Sequence, residues 1–142
     1  MNSVITFPEE LTKPFETPWR QASVVHIVDG DTFDLMVDLG FDVHIHARIR
    51  LLHGDTFNRE DKLNVGIDTP EIRGEEKVLG FKAKDRVEEL IGGKEVRIFS
   101  RRGGSRGKYG RWLAAVVFRM EDRWVDLGSF LVEEGHAEVK MY

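Results

Sequence analysis

The sequence contains no cysteine in 142 residues, which excludes disulfides and thiolate metal sites and leaves the fold to stand on packing alone. Any metal must then be held by oxygen or imidazole. Long apolar runs are missing too: no stretch approaches the roughly 18 residues of a membrane span. The opening MNSVITFPEELTKPFETPWR has no basic head followed by an apolar run, so the expectation is a cytoplasmic protein without an export signal and without a membrane partner. Positive charge is in deficit overall, with a formal net charge of -4, which by itself speaks mildly against a nucleic-acid partner. Its distribution reverses that inference. Arg97 to Arg111 carries six Lys or Arg and no Asp or Glu, a local basic stripe of the kind that attracts phosphate backbones.

The length suits one domain, and a monomer is the simplest expectation. Residues 1–21 hold three of the four prolines and read as an extended arm, from which Phe7, Phe15 or Trp19 would dock on a domain spanning 22–142. The run ASVVHIV (22–28) reads as a strand, broken by the turn Asp29, Gly30, Asp31, Thr32. Phe33, Leu35, Val37 and Leu39 alternate with Asp34, Met36 and Asp38 in a second strand. Val43, Ile45, Ala47, Ile49 and Leu51 alternate with His44, His46, Arg48 and Arg50 in a third, which puts both arginines on one face. Residues 53–65, HGDTFNREDKLNV, have neither periodicity and read as an inserted loop. Leu79, Ala83, Val87, Leu90 and Ile91 mark an amphipathic helix stopped by Gly92-Gly93. KEVRIF (94–99) and RWLAAVVF (111–118) are further strands flanking a basic glycine-rich loop. Residues 120–123 read as a turn, 125–134 as a second helix and Ala137 as the start of a short strand. The pattern predicts a mainly β, α+β domain: a five-stranded barrel of the OB type with two helices packed on it.

Chemistry concentrates in GIDTPEIRG (66–74). Pro70 has no backbone donor and pushes Thr69 towards an extended conformation, so the run reads as a bent loop holding the carboxylates of Asp68 and Glu71. Asp31 and Asp68 could share one cation, with the Thr69 carbonyl completing a hard-oxygen shell suited to Ca²⁺ or Mg²⁺; equally, Asp-Gly-Asp-Thr is a common hairpin turn. Glu71 has the length to serve as a general base. Arg50 and Arg111 could neutralise charge on a phosphoryl group, since the guanidinium fork matches phosphate and stays charged, although Arg50 beside Arg48 also reads as a solvated strand residue. Tyr109, next to Lys108 in the glycine-rich loop, could stack on a base or ribose. His44 and His46 share a strand face, but no third ligand stands at a convincing spacing, so exposed strand histidines are the default.

In this order, VDGDTFDL, RIRLL, GIDTPE, GFKAK, KYGRWLA and LVEEGHAEV resemble the staphylococcal nuclease (thermonuclease) family. The resemblance implies an OB-fold barrel and Ca²⁺-dependent hydrolysis of DNA and RNA, single-stranded or locally open, to 3′-phosphate products with little sequence preference. It implies that Asp31, Asp68 and the Thr69 carbonyl hold Ca²⁺, that Glu71 is the general base, that Arg50 and Arg111 bind the scissile phosphate, and that Lys108 and Tyr109 contact the nucleotide's terminal phosphate. One departure is plain: residues 53–65 intervene where the family's arginine strand runs almost directly into its acidic loop. The alternatives are a catalytically inactive, nucleic-acid-binding copy of the domain and an OB-fold module whose basic loop contacts an acidic protein.

Overall fold

A computed structural model describes residues 4–5, 19–58, 65–102 and 112–141. Its centre is a three-strand meander. β2 (Arg20–Asp29) pairs with β3 (Thr32–Asp38) across the two-residue turn Gly30-Asp31, and β3 pairs with β4 (His44–Leu51). Alternation along these strands sends Ile27, Phe33, Leu35 and Ile49 inward, all almost fully buried, each contributing about 1.5–3 kcal/mol by leaving water. Register shifts in β2 between Val24 and His26, and again between Ile27 and Asp29, explain why its burial does not follow a simple period of two.

The meander closes on itself. β4 lies parallel to β7 (Trp112–Met120), β7 is antiparallel to β6 (Glu95–Arg102), and β6 returns to β2. The ring β2-β3-β4-β7-β6 is therefore a closed five-stranded barrel, with no open edge among its members. The expected α+β, OB-type barrel with two helices is what forms. Helix α1 (Lys77–Ile91) packs Ala83, Val87, Leu90 and Ile91 inward, and Gly93, at φ +67, carries the chain past its end. Trp19 stacks edge-on against Phe99, and β1 (Val4–Ile5) pairs with β8 (Arg123–Asp126); the rest of the N-terminal arm, Phe7 and Phe15 included, lies outside the described residues. No helix among the described residues is long and apolar enough to cross a membrane.

Four sequence expectations are corrected. Leu79 is 56 % exposed, and Gly80 takes its place on the buried side of α1. The first half of GIDTPEIRG is not loop: Val65–Asp68 form β5, antiparallel to β9 (Glu138–Met141). Residues Arg123–Asp126 are a strand, β8, in a hairpin with β7, whose turn puts Glu121 at φ +57. The second helix, α2, accordingly begins at Leu127 and runs to Glu133. It starts there because the Asp126 carboxylate accepts the Ser129 N–H at 2.9 Å as an N-cap, which ends the strand and opens the helix in one residue.

The start of the polar stretch is also not solvated. Gly54–Asn58 form a 3-10 turn, and His53 and Thr56 are buried. The Thr56 hydroxyl donates to the Val65 carbonyl at 3.1 Å and accepts from the Val65 N–H at 3.0 Å. The Gly54 N–H donates to the Asp126 carboxylate at 2.8 Å. Leu52 bridges Gly66, so the chain leaves and rejoins at adjacent points.

Candidate active site

Three elements bring their chemistry to one corner. Asp31 stands in the β2-β3 turn and is 5 % exposed. Arg50 lies on β4 directly across from Thr32, so its side chain runs alongside that turn. Asp68 ends β5, which β9 aligns by pairing Asp68 with Glu138. Arg50 Nη2 donates to Asp31 Oδ2 at 3.3 Å and to Asp68 Oδ1 at 3.0 Å. One guanidinium nitrogen thus sits between two carboxylates that are 37 positions apart in sequence.

The Asp31 carboxylate is organised by its other contacts. Oδ2 also accepts the Thr69 N–H at 3.1 Å, and Oδ1 accepts the Thr32 hydroxyl at 3.0 Å. The Asp31 carbonyl accepts the Leu51 N–H at 2.9 Å, tying the turn to β4. Burial works against its charge, but the hydrogen bond from Asp29, the Arg50 charge and the Thr69 N–H outweigh it and hold the Asp31 carboxyl below the usual carboxylate range. Asp29 takes the opposite share: burial first, then its hydrogen bond with Asp31, push it up to about 7. The two carboxyls are thus pushed in opposite directions, Asp29 towards its protonated form and Asp31 towards its ionised form.

Asp68, at the end of β5, and Glu71, on the loop that follows, are both exposed. The Glu71 N–H donates to Glu76 Oε2 at 3.2 Å. Arg48 shares a strand face with Arg50 but is engaged elsewhere, in a two-pronged contact with Asp34 at 2.7 and 3.2 Å; that bond holds Asp34 below its ordinary value. His46 is exposed and reaches Asp34 only at 3.9 Å. Among the described residues no group of three or more His, Cys, Asp or Glu is placed to hold a metal. Oxygen donors are what the corner offers: Asp31, Asp68 and the loop backbone at Thr69. Arg111, Lys108 and Tyr109 lie outside the described residues, as does most of the basic loop.

Reading the sequence missed Asp29 as the partner that keeps Asp31 charged, although it stands in the same VDGDT run. It also missed Asp126, for which the spacing Asp-x-x-Ser is a legible helix-start signal.

A small closed barrel with two helices, bearing a corner where an arginine meets two carboxylates, defines an OB-type domain. Residues 63–142 match the family described as Staphylococcal nuclease homologue, and the chain belongs to that family. Comparison with curated proteins gives no match. Membership carries a nuclease or nucleic-acid-binding role. The matched span includes Asp68, Thr69 and Glu71 but begins after Asp31 and Arg50, so geometry is what joins those two to the rest.

Proposed function

We propose that the protein is a Ca²⁺-dependent phosphodiesterase that hydrolyses DNA and RNA with little sequence preference, leaving 3′-phosphate ends. The observation that carries this reading is the convergence of Asp31 and Asp68 on a single cationic nitrogen of Arg50. Two carboxylates that close around one positive centre, with only oxygen donors nearby, suit a hard cation. Asp31, Asp68 and the Thr69 carbonyl would hold Ca²⁺, which when bound supplies Lewis-acid polarisation of a phosphoryl oxygen.

The remaining steps belong to the chain's own groups. Glu71, solvent-facing on the loop beside Asp68, accepts the proton of the attacking water at its carboxylate. Arg50 and Arg111 bind the scissile phosphate and neutralise the charge that grows on it, and they do so as permanently charged planar donors. Asp29, pushed towards its protonated form, leaves Asp31 anionic for a cation. Lys108 and Tyr109 contact the terminal phosphate, and the basic stripe from Arg97 to Arg111 supplies attraction independent of sequence.

The test is single-turnover cleavage of single-stranded DNA by the Glu71→Gln variant, with and without chelator. The expected result is a rate lower by about 10²-fold or more with binding retained, and no cleavage by the parent in chelator. Unchanged cleavage by the variant, or full activity without Ca²⁺, would refute the mechanism. Undiminished affinity for nucleic acid with no cleavage by the parent under any condition would return the chain to an inactive binding copy of the domain.

A further inference from the structure

Helix α1 carries Gly80 on its buried face, where an amphipathic helix normally packs an alanine or a larger apolar residue. Glycine is a poorer helix former than alanine because it loses more backbone freedom on folding. Something else must require the bare α-carbon, and the neighbouring atoms identify it. A Cβ on Gly80 would run into the carbonyl group of Glu71 and would stand 2.8 Å from the Ile72 nitrogen. These are backbone atoms, which cannot rotate away as a side chain can.

The same helix seats the rest of the corner one turn further on. A Cβ on Gly30 would meet Thr69 Cγ2 at 2.9 Å and Ala83 Cβ at 3.0 Å, so the acidic turn, the acidic loop and α1 come together without spare room. The Glu71 peptide is gripped on both sides: Glu76 accepts its N–H at 3.2 Å, and its carbonyl rests over Gly80. The helix that provides this seat is itself rooted in the core through Val87, Leu90 and Ile91.

We infer that Gly80 is a positioning residue for the reaction, its bare α-carbon setting where the Glu71 carboxylate stands relative to Asp31, Arg50 and Asp68. The inference rests on the reading of Glu71 as the general base. Gly80 touches no substrate; it acts by letting the loop backbone lie directly on the helix. A side chain there displaces Glu71 while leaving the two metal-binding carboxylates, which are fixed by β3, β4 and β9, in place.

The decisive variant is Gly80→Ala, because two accounts predict opposite outcomes. If Gly80 were only a weak helix residue, alanine would raise the melting temperature and leave turnover unchanged. As the seat of the loop, its replacement lowers kcat by about 10²-fold, the scale attached to a displacement of roughly 1 Å. Affinity for oligodeoxythymidylate in chelator, by fluorescence anisotropy, stays within about twofold, since it does not depend on where the base stands. The double variant Glu71→Gln with Gly80→Ala is no slower than Glu71→Gln alone, because both changes remove the same function. Should Gly80→Ala fail to fold, Glu76→Ala loosens the other side of the same peptide at an exposed position, and the same fall in kcat with unchanged binding is expected there. Full kcat in Gly80→Ala, additive losses in the double variant, or unchanged kcat in Glu76→Ala when Gly80→Ala is unfolded overturns the inference. A Glu71→Gln variant with parental rate overturns the base assignment and this inference with it, whereas a slow Glu71→Gln beside a fast Gly80→Ala overturns this inference alone.

Discussion

Replacing Asp126 by alanine removes the joint that ties α2 to the stretch after β4. Its carboxylate, 1 % exposed, accepts the N–H groups of Ser129 at 2.9 Å and Gly54 at 2.8 Å. Loss of the helix cap costs about 1 kcal/mol, and a buried Gly54 N–H left without an acceptor costs about 1–3 kcal/mol. Relief of a buried charge offsets part of this, because burial raises the Asp126 carboxyl above its ordinary 3.8. The net expectation is a loss of about 2–3 kcal/mol, or about 10 °C in Tm for a domain of this size. Asp126→Asn isolates the charge, since an amide oxygen still accepts both N–H groups. A carboxylate whose folded-state value is raised contributes its full stability below the unfolded value and loses it as pH rises through the folded value. The parent should therefore lose stability from pH 4 upward relative to Asp126→Asn, while Asp126→Ala stays the least stable of the three. Urea titrations at pH 5 and pH 8, with thermal melts alongside, measure all of this. A Tm for Asp126→Ala within about 2 °C of the parent, where the estimate requires about 10 °C, would refute the account of this joint.

Thr56→Val should destabilise by about 1–3 kcal/mol in urea, since it removes the hydroxyl that accepts the Val65 N–H and donates to the Val65 carbonyl, the latter keeping the His53 N–H; a change under about 0.5 kcal/mol would place the stretch after Leu52 outside the cooperative fold. Arg50→Lys should reduce kcat/KM by about 10²–10³-fold because a lysine cannot reproduce the guanidinium fork, whereas Arg48→Ala, which breaks the pair between solvent-facing Arg48 and buried Asp34, should leave kcat/KM within about twofold because that pair is separate from the corner. Equal losses in the two would show that both arginines serve the substrate. Replacing Arg101, Arg102 and Arg106 together by serine should weaken binding of every single-stranded sequence alike and flatten the plot of log affinity against log salt by about 0.7 per lost phosphate contact. An unchanged slope would place the loop away from the substrate.

The barrel was readable because its strands obey a period of two that local sequence can express: Phe33, Leu35 and Val37, or Ile49 and Leu51, announce a buried face by themselves. β5 and β8 were not, because each has four residues and exists through its partner strand; Gly66 and Ile67 acquire strand geometry from β9, not from propensity. Leu79 misled for a related reason. Its spacing fits the apolar stripe of α1, but the loop backbone at Glu71 and Ile72 lies against the helix beside it, and only Gly80 admits that approach. At the corner, the residue types were legible from GIDTPE and VDGDT, while the pairing of Arg50 with Asp68 across the intervening stretch needed three dimensions. The upward push on the Asp29 carboxyl was invisible in sequence, since it depends first on burial and then on the neighbouring Asp31.

The pairing of β5 with β9 has a consequence for when the corner can exist. Asp68 owes its alignment to Glu138, some seventy residues later in the order of synthesis. As a chain emerges from the ribosome, Asp31, Arg50 and Asp68 are made well before the strand that registers Asp68. Contacts of such long sequence separation form late, after the loop-closure entropy has been met by the barrel. A nascent chain that has not yet reached β9 would thus carry every acidic residue of the corner in a slack arrangement, and the corner would be complete only once β9 has paired with β5. For a protein proposed to cleave RNA as well as DNA, that order of assembly would delay activity until β9 has been made and has paired with β5.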